Sequence, residues 1–262
     1  MLQSIKNLFG QGPLNQAKID KIAKLAANPY AQPEVRKREM LKLLDDGTPE
    51  AIRGVLKRFS SNASGHIADE EEKLWLVEEL IDLGETSLVP LQDYIHTQMQ
   101  LTYAMQAYAG IVGAEAAASF FLEALKALGP EDYRSLGSKL QLILSLAEFV
   151  PKKPALFLDL VPFLHDHSDD VRWAILDLCE VAYPQKTWQE AVKPSLSQAF
   201  GELVCNLETS PRIVRRVGEL LAAWEWPLAP AFKTLSPMLA DGFFLDKKNF
   251  VRHRSQVAVK IK

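Results

Sequence analysis

Apolar residues recur along this chain in clusters spaced three and four apart, interrupted by proline, glycine and short polar stretches. This is the pattern of amphipathic helices joined by tight turns. The clearest unit lies at 154–183, where ALFLDLVPFLHDHSDDVRWAILDLCEVAY follows the first proline and reads as helix, turn and helix. Weaker copies recur throughout. Asn15 caps a helix to about 27, and Asn28, Pro29 and Pro33 break the chain before a second helix that ends at Asp45, Asp46 and Gly47. Thr48 and Pro49 supply the cap and first turn of a helix to 60; a longer loop, SSNASGHIA, then leads into a helix over 69–83 that stops at Gly84. Later pairs fall at 87–98 with 100–112, 114–128 with 131–150, 154–166 with 168–183, and 187–206 with 210–226, followed by an unpaired helix at 228–240. No stretch sustains two-residue alternation of β-branched residues, so strands are not expected and the fold class is all-α.

A two-helix unit has an apolar face that it cannot bury alone, so tandem copies imply stacking of neighbours. At 160–172 the residues LVPFLHDHSDDVR carry a proline and leucines in the first helix, an aspartate at its end, and a Val-Arg pair opening the second. The proline position recurs at Pro90, Pro194 and Pro237 besides Pro162, and the pair at Val214-Arg215 and, more loosely, Val35-Arg36. In these features the chain resembles the HEAT repeat family over about residues 15–240. The resemblance implies an α–α superhelix of about six helix pairs, with second helices lining a concave side. Leu74 and Leu140 stand where the arginine is expected. A proline inside the first helix removes a backbone donor and bends the rod. Asp170, Arg172 and Arg215 are expected to cap amides and bridge neighbouring units. Residues 1–14, with Leu2, Ile5, Leu8 and Phe9 at helical spacing, read as an N-terminal capping helix, 15–240 as the array, and 241–262 as a basic C-terminal tail.

Composition narrows the function classes. The 262 residues are 48% hydrophobic and 24% charged with a net charge of −3, which excludes global disorder and argues against bulk nucleic acid as the main partner. No secretory leader or membrane span is legible. The two cysteines, Cys179 and Cys205, sit inside apolar helical patterns, so a reducing cytoplasm is expected.

Aligning the repeats places Trp75 and Trp173 at equivalent positions near the start of two second helices, with Gln141 and Arg216 at the same position elsewhere and Lys139 and Glu219 nearby. Tryptophan buries much area and is enriched in binding hot spots, so these six residues form the candidate partner-binding groove, amphipathic and suited to a protein or peptide. The acidic run Asp69 to Lys73 reads as a solvated first turn complementing the helix dipole, and 60–68 as a flexible ridge loop. His165 and His167 flank Asp166, but residues two apart do not share a helix face, so no metal site is expected. No nucleophile, phosphate-cradling or Cys-x-x-Cys motif occurs, and no cofactor is implied. In the tail, Phe243, Phe244 and Phe250 are expected to cap the last repeat, while Lys247, Lys248, Arg252 and Arg254 offer a weak contact to nucleic acid or anionic lipid. The expected function is a noncatalytic interaction scaffold. The alternatives are a nucleic-acid- or membrane-associated module using the tail, or a HEAT-like enzyme of the DNA glycosylase type, with Trp173 and Asp177 in its site, or of the bilin lyase type.

Overall fold

The computed structural model describes residues 13–233 and 237–254, so the expected capping helix (1–12), residues 234–236 and the tail past 254 lie outside the described residues. The chain is mostly helical. It divides into two compact units, residues 1–119 and 120–262.

The first unit contains α1 (Gln16–Ala26), α2 (Pro33–Asp46), α3 (Pro49–Leu56), α4 (His66–Leu83), α5 (Leu88–Thr97) and α6 (Thr102–Val112). The capping residues act as their chemistry predicts. Asn15 accepts the Lys18 amide at 3.0 Å, and Thr48 accepts the Ala51 amide at 3.3 Å with Pro49 filling the first turn. Gly47 ends α2 at φ 67°, a conformation that glycine adopts without cost. Alternate helices pack on one another: α1 on α3 on α5 in one layer, α2 on α4 on α6 in the other. Between the layers lie Met40, Leu43, Ile52, Leu56, Leu76, Leu80 and Leu91, all buried.

The boundary between the units falls within α7 (Ala114–Leu128). The second unit contains α8 (Leu136–Ser145), α9 (Pro154–Leu160), α10 (Asp169–Ala182), α11 (Lys186–Cys205) and α12 (Pro211–Trp224). Here α8, α10 and α12 pack in sequence, as do α9 and α11. Trp188 is fully buried against Phe157, with ring centroids 4.9 Å apart.

The prolines act in different ways. Pro194 is interior to α11 and denies the carbonyl of Glu190 its donor. Pro162 sits where α9 tightens into a 3-10 turn, Val161–His165. Pro90 lies in the first turn of α5, where the missing amide costs nothing. Pro237 belongs to no described helix. A bend in every first helix is therefore not what this residue pattern encodes.

The end of the chain corrects two expectations. The helix expected at 228–240 is a single 3-10 turn, Pro230–Lys233, and irregular backbone at 237–240. Phe232 of that turn lies so close to Gly201 that a methyl group there would overlap its ring. Beyond it β1 (Phe243–Leu245) and β2 (Val251–His253) form an antiparallel hairpin, Phe244 opposite Arg252, where no strand was expected. Asp246 builds the turn by accepting the Lys248 and Phe250 amides at 2.8 and 3.0 Å. The hairpin packs on α12, with Phe243 over Gly218 and Val251 fully buried.

Candidate partner-binding site

Trp75 belongs to the first unit and the other five candidate residues to the second. Trp75 is half-buried on α4, and the Lys37 ammonium of α2 lies 4.4 Å from the centre of its ring. Lys37 follows Arg36 as Trp75 follows Leu74, so it occupies the aligned position that sequence comparison assigned to Trp75, Gln141, Trp173 and Arg216. Trp173 is likewise half-buried on α10. The guanidinium of Arg216, its aligned neighbour on α12, lies 5.4 Å from the ring centre, and that of Arg212 lies 4.4 Å away. In each unit, then, a cation from the adjacent second helix covers an indole, a contact worth about 0.5–1 kcal/mol at such exposure.

Arg216 is the most heavily ion-paired group at this site. It meets Asp177 at 2.9 Å, Glu180 at 2.5 Å and Glu219 at 3.9 Å, so Trp173, Arg216 and Glu219 are brought together. Burial works against its charge, but the carboxylates of Glu180 and Asp177 outweigh it and raise its pKa. Asp177, cast as a glycosylase carboxylate, is instead held in this ion pair. Gln141 turns back to the Gly137 carbonyl at 2.8 Å. Beside these groups the second helices expose aliphatic side chains: Leu41 on α2, one turn from Lys37, and Leu144 and Val181 on α8 and α10.

Lys139 requires a correction. Its side chain is fully buried and its ammonium pairs with buried Asp166 at 2.6 Å, so it is closed to a partner and fastens α8 to the turn before α10. Arg215 is a second correction, being exposed with no ion pair among the described residues. The link between α10 and α12 falls instead to Arg212, which reaches Asp170 at 3.0 Å. Arg172 caps its own turn by donating to the Asp166 carbonyl, as the aligned Arg36 donates to that of Ala31.

The acidic run is the largest departure. Asp69, Glu72 and Lys73 are buried, not solvated, because Arg36 and Arg58 arrive from α2 and from the turn after α3. Arg36 grips Glu72 through two nitrogens at 2.8 and 2.9 Å, and Arg58 bridges Glu72 and Asp69. Lys73 completes the cluster at 2.8 Å from Asp69. Burial alone would raise the Asp69 pKa; hydrogen bonds from Lys73, the Ala63 amide and Arg58 outweigh it and bring it down to about 2. The same cluster ties down the ridge loop: Lys73 donates to Asn62 at 2.9 Å and Arg58 to the Ser61 carbonyl at 2.8 Å.

Other candidates disperse. His165 and His167 pair separately with Glu202 at 3.1 Å and Glu131 at 2.8 Å, and among the described residues no group of three His, Cys, Asp or Glu side chains is placed to hold a metal. Burial pushes the Cys179 thiol well up and the Cys205 thiol up, away from nucleophilic character. In the tail, Arg252 is taken up by Glu225 at 2.7 Å and Asp246 at 3.3 Å, whereas Lys247, Lys248 and Arg254 are exposed. No helix among the described residues is long and apolar enough to cross a membrane.

No protein-family model, no curated protein and no solved structure matches the chain.

Proposed function

We propose that this chain is a noncatalytic interaction scaffold, a HEAT-like array of about six helix pairs whose second helices grip a partner protein or peptide in the cytoplasm. What carries the reading is the recurrence in both units of one arrangement: a half-buried tryptophan, a cation over its face from the neighbouring second helix, and an exposed aliphatic on that layer. A ligand side chain can take the cation's place on the indole, and the displaced Lys37 or Arg212 is then free to meet a carboxylate on the same ligand. An amphipathic segment with apolar and acidic residues fits this chemistry better than a phosphate backbone, which needs an unpaired cationic track. The tail reading is weaker because Arg252 is already paired with Glu225 at the end of α12 and with Asp246 of the hairpin turn.

The test is affinity capture of the tagged chain from its native cell, compared with a variant carrying Trp75→Ala and Trp173→Ala. The scaffold reading expects specific partners to be lost from the variant while its melting temperature stays close to the parent's. An unchanged partner set, or binding that collapses with added salt and depends on Lys247, Lys248 and Arg254, would refute it.

A further inference from the structure

Trp75 and Trp173 head the same motif in their two units. Residues 75–82, WLVEELID, and 173–180, WAILDLCE, each set one acid four residues after the indole and another seven after it. Such spacing puts the three side chains on one helix face. In the second unit this face holds a guanidinium. Arg216 of α12 lies 5.4 Å from the Trp173 ring centre and reaches Asp177 at 2.9 Å and Glu180 at 2.5 Å. The indole offers a π face and the acids offer the countercharge, so the three together form a seat for an arginine.

In the first unit the chain supplies no arginine to that seat. α6 packs on α4 as α12 packs on α10, yet α6 carries no Asp, Glu, Lys or Arg. At Gly110, which is exposed, α6 comes so close to α4 that a methyl group would overlap Ile81, so its surface there is bare. Glu79 and Asp82 meet no cation among the described residues. Lys37 covers the indole from α2 and makes no ion pair there either. An acidic face alone would attract any cation; what singles out arginine is the filled copy of the same motif at Trp173.

Building on the reading of the second helices as a partner surface, we propose that the first unit's motif binds an arginine side chain of that partner, laid over Trp75 and held by Glu79 and Asp82. Arginine suits the seat better than lysine because a planar guanidinium stacks on an indole and still donates from its edge. Arginine and tryptophan are also the residues most enriched in interface hot spots. Lys37, displaced from the ring, is then left to meet an acid next to that arginine. The carboxylates repel phosphate, so nucleic acid and anionic lipid are disfavoured occupants. At Trp173 the corresponding place is already filled by Arg216.

The test titrates Nα-acetyl-arginine amide into the full chain at low salt and follows the indole N–H resonances of Trp75 and Trp173 by NMR. The Trp75 resonance is expected to shift and to saturate at millimolar probe, while that of Trp173 stays in place. The neutral probe with citrulline in place of arginine should bind about tenfold more weakly, as should the arginine probe to a Glu79→Gln, Asp82→Asn variant with the parent's circular dichroism. Arg216→Ala empties the second seat, and Trp173 should then respond as Trp75 does. A silent Trp75 in the parent, equal binding of the arginine and citrulline probes, a double variant that binds as the parent does, or a Trp173 still silent in Arg216→Ala would each overturn the proposal. Failure of the scaffold reading shows elsewhere, in partners that persist when both tryptophans are replaced.

Discussion

The two units fasten successive helix pairs by different means. In the first, α2, α3 and α4 are joined through five buried charges, Arg36, Arg58, Asp69, Glu72 and Lys73. In the second, one buried pair, Lys139 with Asp166, does this, and the last helices close on an aromatic cluster in which Tyr183 stacks on Trp224 at 4.4 Å beside Trp226. The contrast teaches how conditional each fastening is. Buried charges stabilise only while every partner is present and ionised, whereas aromatic packing is indifferent to pH. The first unit is therefore the more brittle toward single substitutions and acid, and the predictions run from the sharpest break to the gentlest.

Glu72→Ala leaves Arg36 and Arg58 buried without their shared carboxylate and is expected to cost about 3–5 kcal/mol. Chemical denaturation would give the size, and hydrogen exchange would place the lost protection in α2 and α4 and spare α10 to α12. Lys139→Met, which strands Asp166, is expected to cost about 3 kcal/mol, and adding Asp166→Leu should recover only part of it: an apolar pair of similar volume can replace a buried ion pair, but the Ser168 amide loses its acceptor on Asp166. Failure of the second change to rescue any of the loss would mean that the Ser168 contact, and not the stranded charge, dominates at Asp166.

Acid sharpens the comparison further. The Asp69 pKa is lowered from 3.8 to about 2, so its stabilisation is fully present above pH 4 and is lost as pH falls through about 2. The shift corresponds to about 2 kcal/mol. Titrating stability between pH 5 and pH 2 should show a loss of that size in the parent and a much flatter curve in an Asp69→Asn variant, already destabilised at neutral pH.

How far the sequence could be read follows the range of the interactions. Asn15, Thr48, Ser168 and Ser210 cap helices within three residues of themselves, and their local chemistry is visible in the chain. The acidic run was not readable, because its partners lie 36 residues away in Arg36 and 14 away in Arg58, and a charge run viewed alone looks solvated. Lys139 misled for the same reason, its partner lying 27 residues ahead. The cation at the tryptophan position was partly legible: the alignment that matched Trp75 to Trp173 would also have marked Lys37. Strands of three residues, Phe243–Leu245 and Val251–His253, are too short for alternation to show.

At the gentle end stand the tryptophans, half-buried under cations and outside both the charge cluster and the aromatic stack. Trp75→Ala and Trp173→Ala should each cost less than about 1.5 kcal/mol. The central claim is that these indoles serve a partner and not the core, and its most direct test is the thermal melt of the two single variants beside the parent. The account predicts melting temperatures within a few degrees of the parent for both; a large drop in each, of the size that Glu72→Ala produces, would contradict it and return both tryptophans to packing.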